Sequence, residues 1–163
     1  MYVTHAFVSS RLNNMNSLLY KAPQALTKRL QNIQNNAARV VKKQRKSCHI
    51  TPLLFDLHWL TVEYWSQYKI LLLVYKSLHG KSPAHLASML EKHSPIRFLC
   101  SAIQLRLYES WVKKRYGDRA LSVVGPSLLN NLDPYIKQSS SVTVFKTRLK
   151  TYLFEKAFKA SKI

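Results

Sequence analysis

Apolar residues recur at steps of four and three along most of this chain, which is the spacing of one face of an α-helix. Val8, Leu12, Met15 and Leu19 form the first such line. Pro23 opens a second helix, whose inward seam is expected at Leu26, Leu30, Ile33, Ala37 and Val40. Thr51 and Pro52 read as an N-cap followed by proline at the first helical position, starting a short helix through Leu57. Thr61 is expected to cap a longer helix and Gly80 to end it. On that helix Tyr64, Trp65, Tyr68, Leu71, Leu72, Tyr75 and Leu78 cover more than half the circumference, the mark of a central, largely buried element. Ser82 and Pro83 open another helix, with Leu86, Met89 and Leu90 inward. Ile103, Leu105 and Leu107 alternate with Gln104, Arg106 and Tyr108, an extended pattern. Gly117-Asp118 and Gly125-Pro126 read as turns, with Asp118 as an N-cap, and Ser141 caps a last helix carrying Phe145, Leu149, Tyr152 and Leu153 on one side. The expected fold is mainly α, a compact multi-helix domain over residues 1–163 with at most one small β element.

Charge changes this picture more than composition does. The chain has 163 residues, 47% of them hydrophobic, enough for a core, and only 3 glycines, which argues against turn-rich β folds and glycine-rich phosphate loops. Lys and Arg number 26 against 7 Asp and Glu, a formal net charge of +19. A surface so charged attracts polyanions. Residues 1–55 hold nine basic residues and no acid, residues 56–100 five and three, residues 101–163 twelve and four. Basic flanks, 1–55 and 101–163, thus surround a more apolar core, 56–100. The strongly apolar run Ile70–Tyr75 is far short of the ~20 residues that cross a bilayer, so no membrane span is expected. No secretory leader is readable at the N-terminus, and Cys48 and Cys100 do not make a disulfide framework, so an intracellular setting, nuclear or cytoplasmic, is expected.

Lys28, Asn32, Asn35, Arg39, Lys42 and Lys46 step by four, three, four, three and four on the second helix, about 200° from the expected seam at 100° per residue. Lys43 and Arg45 widen that stripe. Cations neutralise phosphates, and asparagines hydrogen-bond sugar, phosphate or a base edge. Lys113, Lys114 and Arg115 form a second cluster, interleaved with Tyr108, Trp111 and Tyr116, an arrangement that also serves single-strand stacking. Solvated helix faces and loop anchors are the bland counterparts of these two readings.

Several segments, in order, resemble a known family. SSRLNNMNSLLY, LTKRLQNIQNNAARVV, HITPLLFDLHWLTVEYWSQYKILLLVYKSLHGKSPAHLASML, YGDRALSVVGPSLLNNL and VFKTRLKTYLF look like the C-terminal region of LINE-type (non-LTR) retrotransposon reverse transcriptases. The resemblance runs from about His5 to Phe158. Its specific parts are Gln34 through Arg39, His49-Ile50-Thr51-Pro52 leading to Leu57-His58-Trp59-Leu60, and Tyr116-Gly117-Asp118-Arg119-Ala120. It departs at Asn13-Asn14-Met15, at Thr61 in place of a proline, and at Leu129 in place of a tryptophan. The resemblance implies a segment that follows the polymerase and helps hold template RNA or target DNA; in that family the polymerase carboxylates and the endonuclease lie elsewhere.

The residues point the same way. Asp56, Glu63, Glu91, Glu109, Asp118, Asp133 and Glu155 lie no closer than seven positions apart, without the clustered carboxylates that hold two metals for phosphoryl transfer. Cys48, His49, His58 and Cys100 lack the paired spacing of a zinc site; His58 is expected as a hydrogen-bonded core histidine and Cys100 as a small buried residue. No catalytic residue, metal or cofactor is therefore expected. The expected function is phosphate-directed binding of RNA or DNA. The alternatives are a helical module for an acidic protein or membrane surface, and a remnant with no selected function.

Overall fold

The computed structural model of the protein describes residues 16–93, 106–112 and 117–159. It is mainly α, as expected. The described helices are α1 (Gln24–Val41), α2 (Ile50–Asp56), α3 (Val62–Leu78), α4 (Ala84–Ala87), α5 (Leu121–Asn130), α6 (Pro134–Lys137) and α7 (Val142–Lys159), with 3-10 turns at Asn16–Leu19 and Gly117–Arg119. β pairing among the described residues is a single antiparallel bridge, Lys92 to Leu107. Of the expected extended segment, Ile103 and Leu105 lie outside the described residues, as do Val8, Leu12, Met15 and Cys100. The chain divides into two compact units, Met1–Gln67 with Thr151–Ile163, and Tyr68–Lys150; the division falls inside α3 and α7.

In the first unit α1 packs on α2 through Ala37, Ala38, Leu54 and Trp59, with Val41, Ile50, Leu57 and Phe158 around them. The inward seam expected on α1 is corrected here. Its buried residues are Gln34, Ala37 and Ala38, while Leu26, Ile33 and Val40 are 48%, 51% and 65% exposed. The true face is rotated by roughly 70° at 100° per residue. The cause is hydrogen bonding. Gln34 Nε2 donates to the Leu60 carbonyl at 2.7 Å, and Gln31 Oε1 accepts the Val62 N–H at 3.0 Å. That N–H belongs to the first turn of α3, whose donors have no partner within the helix. Two glutamines therefore turn toward the core because backbone groups need them.

In the second unit Tyr75 and Phe145 stack with ring centroids 4.0 Å apart. Val74, Leu129 and Leu149 are also fully shielded from solvent. Tyr75 donates its hydroxyl to the Ser139 carbonyl, and Ser141 caps α7, its hydroxyl accepting the Val144 N–H. Three expected details change. Leu72 is half-buried and Met89 exposed, while Leu71 and Leu90 are buried as expected. Gly125 and Pro126 lie inside α5 rather than in a turn, both buried. A Cβ on Gly125 would sit 2.7 Å from Val74 Cγ2, so the missing side chain lets α5 approach α3 closely. Asp118 lies within a 3-10 turn and α5 begins after Ala120 with no side-chain cap; Asp133 is the capping aspartate, accepting the Tyr135 N–H at 2.8 Å. In the first unit α2 likewise begins after His49, one residue before Thr51.

Helix ends explain how a chain so poor in glycine turns. At the end of α3, Gly80 adopts φ 66° and the Lys81 N–H reaches back to Lys76 O at 2.8 Å, the six-to-one bond of a left-handed C-cap. The same bond closes α1 from Gln44 to Arg39 and α2 from Trp59 to Leu54, but the left-handed residues there are Lys43 (φ 51°) and His58 (φ 52°). A side chain at such φ costs roughly 1–2 kcal/mol. Lys43→Gly should therefore raise stability by about 1 kcal/mol in urea unfolding while removing one candidate phosphate contact. A loss of stability would show that the lysine side chain holds the turn.

Candidate nucleic-acid interface

The expected basic stripe does not continue as one helical face. α1 stops at Val41, Lys42 is its C-cap, and the chain reverses at Lys43. Lys42, Lys43, Arg45 and Lys46 are gathered instead at the C-terminal end of α1. The partial negative charge of a helix C-terminus favours cations there, which is itself a structural reason for them. The turn is held at both ends. The α1–α2 core fixes its flanks, the Cys48 N–H donates to Arg45 O at 3.1 Å, and Cys48 Sγ donates to Gln44 Oε1 at 3.3 Å.

Lys43, Arg45 and Lys46 are exposed, as is His49 beside them. Lys28 and Asn32 are exposed too, but Lys28 lies about 20 Å along the helix from the turn at 1.5 Å per residue. The other expected members are less available. Lys42 Nζ lies 3.3 Å from Asp56 Oδ2, a pair open to solvent and so of small energetic weight. Asn35 Oδ1 accepts from Gln31 Nε2 at 2.9 Å. Arg39 is half-buried: its Nη1 donates to Asn36 Oδ1 at 3.3 Å and its Nε is sealed from solvent without a hydrogen bond. The cations facing solvent at this end are thus the triplet Lys43, Arg45 and Lys46. Arg29, exposed on the next line of α1, was missed by the sequence pattern because it falls off the four-three stripe.

Lys113, Lys114, Arg115 and Tyr116 lie outside the described residues. Their neighbours Trp111 and Tyr108 are 82% and 54% exposed, so they do not anchor a loop in the core. The segment that carries them is pinned. Leu107 is buried, its backbone N–H and C=O both bonded to the Asn130 amide at 3.0 Å. Charge here is mixed, however: Lys92 and Arg106 flank Leu107's bridge together with Glu91 and Glu109, and Lys137 feels both Arg106 and Asp133. Lys137 is buried, donates to Asn130 O at 2.9 Å, and has its pKa lowered by burial and by Arg106, with Asp133 opposing. Arg148 lies over the Tyr135 ring at 3.9 Å and donates to the Tyr135 carbonyl at 3.0 Å, while Lys146 and Lys150 are exposed.

His58 is corrected: it is exposed, with its ring 5.4 Å from Phe154. Among the described residues no three His, Cys, Asp or Glu side chains come together to hold a metal ion. Among the same residues no helix is long and apolar enough to cross a membrane. A half-open hollow of about 300 Å³ lies between the 3-10 turn and the start of α3, lined by Tyr20, Lys21, Gln24, Thr27, Glu63 and Ser66. Burial, and then the Glu63 carboxylate, push the Tyr20 phenol above its ordinary pKa. No family model, curated protein or solved structure matches the chain.

Proposed function

We propose that this chain is a non-catalytic, strongly basic nucleic-acid-binding segment, derived from the region after the polymerase in a LINE-type retrotransposon protein. One observation supports the binding half of this reading most. The exposed triplet Lys43, Arg45 and Lys46 sits in a stretch of 55 residues without a carboxylate, on a turn fixed by the α1–α2 core. The nearest acid in sequence, Asp56, is engaged by Lys42. Such a turn offers phosphates three exposed cations within a run of sequence that holds no carboxylate. Phosphates position a strand but carry no sequence information, so binding is broad in sequence.

The test is fluorescence anisotropy with labelled RNA and DNA oligonucleotides of unrelated sequence at low ionic strength. Affinities should agree within a few-fold across sequences, because each mismatch penalty of a base-reading protein, about 1–3 kcal/mol, is absent. Strong preference for one sequence would replace the phosphate reading with base readout. Absence of binding would leave the helical interaction module.

A further inference from the structure

Ser47 ends the cationic run on the turn after α1. It is exposed, and Lys42, Lys43, Arg45 and Lys46 stand five, four, two and one residues before it. The loop that carries it is closed twice, by the Cys48 N–H donating to Arg45 O at 3.1 Å and by Cys48 Sγ donating to Gln44 Oε1 at 3.3 Å. Its hydroxyl is therefore displayed on ordered, non-helical backbone, next in sequence to Lys46 and two residues from Arg45. Among the described residues the other exposed hydroxyls lack this combination. Thr143, Thr147 and Thr151 lie within α7, Ser88 has no Lys or Arg in the five residues before it, Ser110 follows Glu109, and the Lys137 that precedes Ser140 is buried.

We infer that Ser47 is a phosphoryl acceptor for a protein kinase that selects cationic segments, and that its phosphate pairs with Lys43, Arg45 and Lys46 and so switches off nucleic-acid binding by this turn. The switching rests on the proposed nucleic-acid reading; the acceptor site and the pairing do not. Kinases choose substrates by charge pattern, and a groove lined with carboxylates suits cations placed before the hydroxyl. The first 55 residues bring no carboxylate of their own to oppose it. In the transfer, Ser47 Oγ bonds to the γ-phosphorus of ATP, the bond to the bridging β-oxygen breaks, ADP leaves, and the hydroxyl proton passes to the kinase's catalytic carboxylate. The new group carries about −1.5 to −2 charge at pH 7 and three acceptor oxygens. Charge-assisted hydrogen bonds to lysine and arginine are the strong ones, so the phosphate engages the cations that a nucleic-acid strand would otherwise meet.

The test treats the full chain with magnesium and ATP and either the catalytic subunit of cyclic-AMP-dependent protein kinase, which selects arginine before the acceptor, or casein kinase II, which selects acidic segments. The first enzyme should add one phosphoryl group by intact mass, mapped to Ser47 and lost in Ser47→Ala, and the second should leave this site unmodified. Phosphorus NMR then reads the pairing without any nucleic acid. The second pKa of the phosphoserine should lie below its usual value of about 6, and Lys43→Ala should raise it again. On an oligouridylate the phosphorylated chain should show a salt slope smaller by roughly 1–1.4 units, the share of the cations that its charge neutralises. Failure of transfer to Ser47, or equal transfer by the acidophilic enzyme, overturns the acceptor site. A phosphate that titrates near 6 overturns the pairing, and an unchanged salt slope overturns the switch. If the unmodified chain binds no oligonucleotide, it is the nucleic-acid reading that fails and the switch with it, while mass and titration still decide the acceptor site and the pairing.

Discussion

Phe145→Ala should be among the most destabilising single substitutions in this chain, costing about 3–5 kcal/mol. The ring is wholly shielded from solvent and stacks on Tyr75 at a 12° interplanar angle. Truncation removes the buried ring, leaves a cavity beside Tyr75, and forfeits an aromatic pair that contributes about 0.5–1.5 kcal/mol beyond its area. Tyr75 cannot swing to fill the space freely, because its hydroxyl is tied to the Ser139 carbonyl. Urea unfolding followed by circular dichroism measures the loss. A cost near 0.5 kcal/mol, the size usual at surface positions, would mean that Phe145 is not at the centre of its unit.

The second large effect is electrostatic. Each phosphate neutralised by a cation releases condensed counterions, giving a slope of log affinity against log salt of about 0.7 on single strands and 0.9 on duplex. Replacing Lys43, Arg45 and Lys46 together by Ala should flatten that slope by roughly 2–3 units if all three contact phosphate. Extending the change to Arg39 and Lys42 should add less than the further 1.4–1.8 units that two free contacts would give. Arg39 is half-buried and hydrogen-bonded to Asn36, and Lys42 is paired with Asp56. The triplet lies on a solvent-exposed turn, so the variant should stay folded, losing at most the roughly 0.3–1 kcal/mol that each cation contributes at the helix end. A further drop of the full 1.4–1.8 units would show that Arg39 and Lys42 rearrange to meet the nucleic acid.

What the sequence carried was periodicity, and what it lacked was the demand of the backbone. The helices of α1, α3 and α7 follow from apolar spacing, and their ends from Pro23, Gly80 and Ser141. The inward face of α1 does not, because Leu26, Ile33 and Val40 are more apolar than Gln31 and Gln34 but cannot bond the Leu60 carbonyl or the Val62 N–H. Hydrophobicity ranks side chains; it does not show which buried backbone group needs one. The basic stripe failed for a related reason. Its spacing assumed that the helix ran on through Lys46, and no glycine or proline marked the stop, since Lys43 itself takes the left-handed conformation. Gly125-Pro126 shows the converse, a turn-like pair held inside a helix by packing against Val74. The exposed triplet was nonetheless legible, because a run of cations with no acid near it is a property of sequence alone.

Salt titration of the parent chain with one labelled oligouridylate tests phosphate-directed binding most directly. Log affinity should fall linearly with log salt, with a slope of at least about 2, the value for three phosphates on a single strand. A slope near zero, or no binding at the lowest salt, would contradict it.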